Sequence, residues 1–370
     1  MNSKSIAVVF RDLKPMTGTF TIVKNVFPLL RKKGWEIHLV CHKTDTEYFK
    51  KMGVHVHNVP FINIGKSARR WLFDKLCRLK ISKIKPQIVW GHGDILKQDI
   101  LSLHNCVHKT FELTRPNEKL KEQGMYGFHR KLLERQNFKL LLANSNLMRK
   151  EVEARFDVPS SKIKVVYPGI DIDRISQNYT IIEKNKAQKE LGLQSDKIYL
   201  GFVTSGDFKK RGLDRLIDIL QSLSLEVKKQ VGAFVVGKDK ETLFYLEKGK
   251  KCQLEGDFFI FQPRESPQIF YDALDLFVYP AYFEEFGLAP LEAAANGLPV
   301  ITTCFVGASE LLRDHSQSVL FPEYDLLSFK QEIEKKIESK AFSRTTRAQF
   351  LPDGQGYAKE VLELCESFIR

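Results

Sequence analysis

The stretch YFEEFGLAPLEAAANGLPV, residues Tyr282–Val300, decides how this chain is read. It follows an apolar run, DLFVYP (Asp275–Pro280), that reads as a strand. A helix is predicted from about Ala289 to Ala295, with Pro290 in its first turn, where the missing N–H costs little. Asn296-Gly297 supplies the stop, and Pro299 bars continuation. Glu284 then lies in the loop before the helix and Glu292 in its first turns, both at the carboxyl end of a strand. The amides of Phe286, Gly287 and Leu288 are placed to receive an anion, and Gly287 allows close backbone approach. The plainer account is that two acids complement a helix dipole, which leaves the Phe-Gly pair without a reason.

Working outward, short β-branched runs alternate with amphipathic ones. The first half offers IAVVF, IHLVC, QIVWG, ILSLH, LLLAN and IKVVY; the second offers IYLGFVT, GAFVVG, DFFIF, DLFVYP and PVITT. Such alternation implies parallel sheets covered by helices on both faces. With 370 residues, two doubly wound α/β domains are expected. The boundaries are set at 1–170, 171–350 and a C-terminal helix within 351–370 that packs back on the N-terminal domain; YPGIDIDRI (Tyr167–Ile175) is the join. Ligands of such sheets bind beyond the strands' carboxyl ends, so two facing sheets predict a cleft.

Composition narrows the function. No apolar run reaches the roughly 18 residues of a membrane span, and the N-terminus reads as a first strand rather than a signal peptide. Six scattered cysteines make neither a disulfide framework nor a zinc spacing, which suits a reducing cytoplasm. Residues 1–175 carry 33 Lys+Arg against 16 Asp+Glu, the remainder 25 against 29. A basic half predicts an anionic partner: nucleic acid, a phosphorylated substrate or an acidic membrane surface. No nucleic-acid motif is present.

EEFGLAPLE with its closing NGLPV resembles the retaining family-four glycosyltransferases of the GT-B fold, nearest to the lipopolysaccharide-core α-glucosyltransferases. VVYPGID, GDFKKRGLDRLI and ANSNLMRKEV extend the resemblance over nearly the whole chain. It implies two Rossmann-like domains facing a cleft, an acceptor-binding one and a nucleotide-sugar-binding one. It also implies that Glu292 takes the ribose hydroxyls, that Glu284 lies near the donor sugar, and that the Phe286, Gly287 and Leu288 amides hold sugar or diphosphate oxygens.

A departing diphosphate gathers negative charge that something cationic must offset. No Asp-x-Asp pair follows a strand, so Lys209, Lys210 and Arg211 are the candidates, with Arg211 where the family usually has Lys. The same run also suits a solvated helix start. Gly18, before the first helix, resembles a phosphate-approaching glycine, although the usual Gly-Gly is Thr17-Gly18 here. The resemblance places His104, closing ILSLH, near the donor sugar, with His92 in GHGD as a rival. Arg174 is a hinge candidate for the diphosphate, and Arg264, after Pro263 in place of a frequent glycine, for the base.

Two basic stretches, Gly65–Lys85 and Arg115–Lys139, interleave cations with aromatic and apolar residues. A core-packed helix with a basic outer face is one reading; an interfacial helix on anionic lipid is the other. The expectation is metal-independent transfer of glucose from UDP-glucose, with no cofactor, onto a lipid-anchored cell-envelope glycan, at the cytoplasmic face of the inner membrane. The rivals are a GT-B nucleotide-sugar 2-epimerase, which needs no acceptor, a phosphorylase, which needs a pyridoxal lysine, and a non-catalytic membrane- or nucleic-acid-binding protein.

Overall fold

In the computed structural model, residues 4–13, 18–171, 175, 180–340, 342, 344 and 351–369 are described. Their strands form two separate sheets, parallel throughout. The first holds β1 (Ser5–Val9), β2 (Glu36–Cys41), β3 (His55–Asn58), β4 (Ile88–Gly91), β5 (Ile100–Ser102), β6 (Leu140–Ala143) and β7 (Ile163–Val165), in the order β3-β2-β1-β4-β5-β6-β7. The second holds β8 (Ile198–Val203), β9 (Val231–Val236), β10 (Phe258–Phe261), β11 (Leu276–Tyr279), β12 (Val300–Thr303) and β13 (Val319–Phe321), in the order β10-β9-β8-β11-β12-β13.

Both orders contain the 3-2-1-4-5-6 winding of a dinucleotide-binding sheet, which reverses direction between its first and fourth strands. That reversal lies between β1 and β4 in one sheet and between β8 and β11 in the other, and it is where such sheets bind ligands. Central strands are wholly apolar because both faces are covered: every residue of β9 and of β11 is buried. The edge strands β3 (HVHN) and β13 (VLF) have no fully buried residue.

The chain divides into two compact units, 1–169 with 352–370, and 170–351. Helix Gly354–Ser367 belongs to the first. Its Tyr357, Val361, Leu362 and Cys365 enter the same buried cluster as Phe27, Leu30 and Trp35. Asp353 starts this helix by accepting from the Gly356 amide. Gly169 lies against its N-cap, since a Cβ there would stand 2.0 Å from the Asp353 carbonyl.

Helix Lys66–Ile84 packs one side on the first sheet. Phe73 and Cys77 reach the core, whereas Leu79 is 54% exposed beside Lys80 and Lys83. Buried Asp74 is held by the Leu96 amide at 2.8 Å and by Arg78 at 3.0 Å. Among the described residues no helix is long and apolar enough to cross a membrane.

Candidate functional site

The loops after β8 and β11 flank the reversal point of the second sheet, and backbone geometry locks them together. The Tyr282 amide donates to the Lys210 carbonyl at 2.9 Å. Gly212, at φ +74°, ends the first loop so close to the second that a Cβ would stand 2.1 Å from the Pro280 carbonyl oxygen. The β11 loop is also tied forward: Glu284 donates to Phe305 and accepts from Gly307, both at 2.9 Å, and the Ala308 amide reaches the Phe286 carbonyl at 2.7 Å. The helix then runs Leu288–Ala295 with Asn296 as its C-cap, and Gly297 takes φ +75°.

These constraints bring Lys210, Arg211 and Glu284 together, with Glu285 and Tyr279. Arg211 Nη2 lies 3.4 Å from Glu284 Oε2, and Lys210 Nζ lies 3.7 Å from Glu284 Oε1 and is hydrogen-bonded to Glu285. The Tyr279 hydroxyl donates to Glu284 at 3.2 Å. Glu284 is 9% exposed and Glu285 2%. Burial by itself would raise the Glu284 pKa, but Arg211, Lys210 and the Tyr279 hydroxyl outweigh it and hold the carboxyl below its usual range. Burial likewise opposes charge on Lys210 and Arg211, and the acids overcome it, so both pKa values are raised. Glu284, Lys210 and Arg211 are therefore ionised at neutral pH. Chemically the cluster sets two cations against acids at one place, where an arriving anion can share them.

Lys209 does not join them, contrary to the expectation of three convergent cations. It is drawn to Asp214 and to the Tyr282 hydroxyl, at 3.0 Å from the latter. Tyr282 itself lies under the Arg215 guanidinium at 3.6 Å. Glu285 and Tyr279 were not singled out by the sequence. The Glu-Glu doublet is the only trace they leave, because pattern alone does not say which acid is buried.

Glu292 sits on the helix and accepts from the Tyr271 hydroxyl at 2.5 Å. Tyr271 is buried, which pushes its pKa well up, and the Glu292 carboxylate adds to this. The tyrosine therefore stays a proton donor that aims the carboxylate. Gly287 takes φ +87°, and the first-turn amides at Gly287 and Leu288 have no intrahelical partner, as at any helix start. Arg264 pairs with the exposed Glu190 at 2.6 Å. Gly18 opens helix Gly18–Lys32. Arg174 lies outside the described residues.

His104 is in the first unit, just past β5, and His92 just past β4. The two are not rivals but partners: His92 Nδ1 and His104 Nε2 are 2.8 Å apart. Burial lowers the His104 pKa to about 4 and takes His92 well below the usual imidazole value.

Two family descriptions match the chain: "Glycosyltransferase Family 4" over residues 16–174 and "Glycosyl transferases group 1" over 183–350. Among curated proteins, the lipopolysaccharide glucosyltransferase WaaG of Escherichia coli (strain K12) is 26% identical over 219 residues, 59% of this chain and 57% of the relative. The lipopolysaccharide core biosynthesis mannosyltransferase LpsB of Rhizobium meliloti (strain 1021) is 33% identical over 170 residues, 44% of this chain and 46% of the relative. The matches thus span about half the length of these relatives. Solved structures agree over nearly the full length. A crystal structure of WaaG, a glycosyltransferase involved in lipopolysaccharide biosynthesis, superposes with a TM-score of 0.77 at 18% identity, covering 98% of this chain and 95% of that one. Anabaena HepE in complex with UDP and glucose gives 0.74 at 17% identity, covering 98% and 100%. With two parallel dinucleotide-binding sheets and a family match on each, the chain has the GT-B fold and belongs to the family-four glycosyltransferases.

Proposed function

We propose that the protein is a retaining glycosyltransferase that moves a hexosyl group, glucose from UDP-glucose in the first instance, onto a lipopolysaccharide-core or related cell-envelope glycan, without a metal. One observation carries this reading: two adjacent cations, buried Lys210 and partly buried Arg211, at the ligand-binding end of the second sheet, beside a glycine-started helix. In this reading the diphosphate rests on the helix-start amides and Arg211. Glu292, aimed by Tyr271, takes the ribose hydroxyls, and Glu284 lies by the sugar. The bond from the anomeric carbon to the diphosphate oxygen breaks. The acceptor oxygen bonds to that carbon on the same face, and its proton passes to the departing phosphate. Arg211 and Lys210 offset the charge that develops.

An acceptor anchored in an anionic membrane fits the first unit. Phe61 is 59% exposed, with Arg69 stacked over it at 4.6 Å. Leu76, Leu79, Lys80 and Lys83 line a shallow groove with Val59 and Pro60. Apolar side chains ringed by lysines suit insertion among anionic headgroups. The enzyme is then peripheral on the cytoplasmic face.

The test is release of the nucleoside diphosphate from a panel of nucleotide sugars, with and without core-glycan acceptor and EDTA. UDP release that needs acceptor and survives EDTA supports the reading. No release and no binding with any nucleotide sugar overturns it.

A further inference from the structure

The structure assigns His92 as a positioning residue that fixes the proton of His104, so that His104 presents Nδ1–H as a neutral hydrogen-bond donor to a carbohydrate oxygen. This rests on the proposed glycosyl transfer, together with the place near the sugar that the family resemblance implies for His104. Two proton arrangements fit the 2.8 Å bond between His92 Nδ1 and His104 Nε2. In one, His104 donates, and His92 must carry its own proton on Nε2. In the other, His92 donates, its Nε2 is a bare lone pair, and His104 carries its proton on Nδ1. His92 Nε2 is buried, with no hydrogen-bond partner among the described residues. The ring is 7% exposed and stacked on Phe10 at 3.8 Å and 17°, with Trp90 at 4.7 Å. An N–H orphaned against two aromatic rings costs more than an unused acceptor there, and buried orphan N–H groups are correspondingly rare.

The same unit follows this rule at three other histidines whose partners can only accept. His42 Nδ1 donates to the Val59 carbonyl at 2.9 Å and leaves Nε2 bare. His108 Nε2 donates to Glu122 at 3.2 Å and leaves Nδ1 bare. His129 Nε2 donates to the Asn105 carbonyl at 2.8 Å and leaves Nδ1 bare. Buried bare imidazole nitrogens are thus tolerated repeatedly, and the second arrangement at His92 matches them. The geometry is also held firmly. The His92 and His104 rings are within 2° of parallel, the His92 backbone amide donates to the Val9 carbonyl at 3.3 Å, and His129 holds the carbonyl of Asn105, the residue after His104. Both imidazoles sit past β4 and β5, beside the point where the first sheet reverses.

The test reads the ring nitrogens of 15N-histidine-labelled full-length protein by NMR at neutral pH, together with kcat and KM on the best nucleotide sugar. In the wild type, His104 should be protonated on Nδ1 and bare on Nε2. His92→Leu should mix the tautomers and lower kcat/KM about three- to tenfold, the size of one hydrogen bond. His92→Asn, whose amide can donate from nearly the Nδ1 position, should restore both. A wild-type His104 protonated on Nε2, or a His92→Leu protein with unchanged spectrum and kinetics, overturns the assignment. So does a His92→Asn protein no better than His92→Leu. Should His92→Leu fail to fold, the wild-type spectrum and His92→Asn still decide. Absence of all sugar-nucleotide turnover would sink the proposed function instead, and the spectrum would remain readable.

Discussion

Arg211 and Glu284 face each other at 3.4 Å across the loops that follow two neighbouring strands, and Lys210 approaches the same carboxylate from its other oxygen at 3.7 Å. The two cations are not equivalent. Arg211 keeps 18% of its side chain open, whereas Lys210, sealed between two acids, keeps 8%. Arg211→Ala should therefore cut kcat about 10²–10³-fold, the size of a lost transition-state charge partner, while the melting temperature moves little. Lys210→Met should instead remove the buried ammonium that Glu284 and Glu285 face, costing about 3–5 kcal/mol of stability. Single-turnover kinetics beside thermal melts separate the two. Equal losses of stability would refute the division of labour.

Glu292→Ala should weaken binding of UDP about tenfold by removing a charged acceptor. It should also destabilise the fold, because the buried Tyr271 hydroxyl loses its partner at 2.5 Å. Tyr271→Phe in the same background removes the orphan. It should recover stability without recovering affinity. Calorimetric titration with UDP, compared with melts of both variants, checks this; affinity restored by the double change would contradict it.

How far the chain announces itself is clear from particular residues. The central strands β8, β9 and β11 are apolar from end to end, since both faces are covered, and runs such as DLFVYP display them directly. Edge strand β13 is three half-buried residues and forms no such run. Pro290, Asn296 and Gly297 mark the site helix to within one residue. Partnerships across the sheet are a different matter. Lys210 meets Glu285 only because strand order sets the loops after β8 and β11 side by side, and Tyr271 meets Glu292 only because two helices pack together. The pairing of His92 with His104 has the same origin, in β4 and β5 being neighbours.

Two glycines of the site should respond very differently to Ala. At Gly287 a Cβ would meet Glu284 Cγ at 3.1 Å and Val306 Cγ1 at 3.3 Å, both side-chain atoms with some room to yield. With φ at +87°, Gly287→Ala should cost about 1–3 kcal/mol and lower activity by displacing Glu284. At Gly212 the obstacle is backbone, the Pro280 carbonyl oxygen at 2.1 Å, which leaves the two loops no way to remain joined. Gly212→Ala should yield little folded protein. Soluble yield and melting temperature measured together test the order; a Gly212→Ala protein more stable than Gly287→Ala would reverse it.

Acid should destabilise the first unit through its buried histidines. Burial holds the His104 pKa near 4 and the His129 pKa near 3, with His92 also well below its ordinary value. The unfolded chain takes up these protons near pH 6.5, the folded chain only far lower, so between those values the unfolded state binds more protons. Stability present above pH 6.5 is lost as pH falls towards 4, at ~1.4 kcal/mol per pH unit for each such histidine. Glu284, with its pKa held down by Arg211 and Lys210, adds its loss only at lower pH still. All three tryptophans, Trp35, Trp71 and Trp90, lie in the first unit, so indole emission reports on that unit alone. Urea unfolding followed by tryptophan emission should show a stability at pH 5 lower than at pH 7 by about 2 kcal/mol for each histidine that stays neutral. His129→Gln, whose amide can still donate to the Asn105 carbonyl, should flatten that slope. A midpoint that is level or rises on acidification would mean that these imidazoles are protonated in the folded chain.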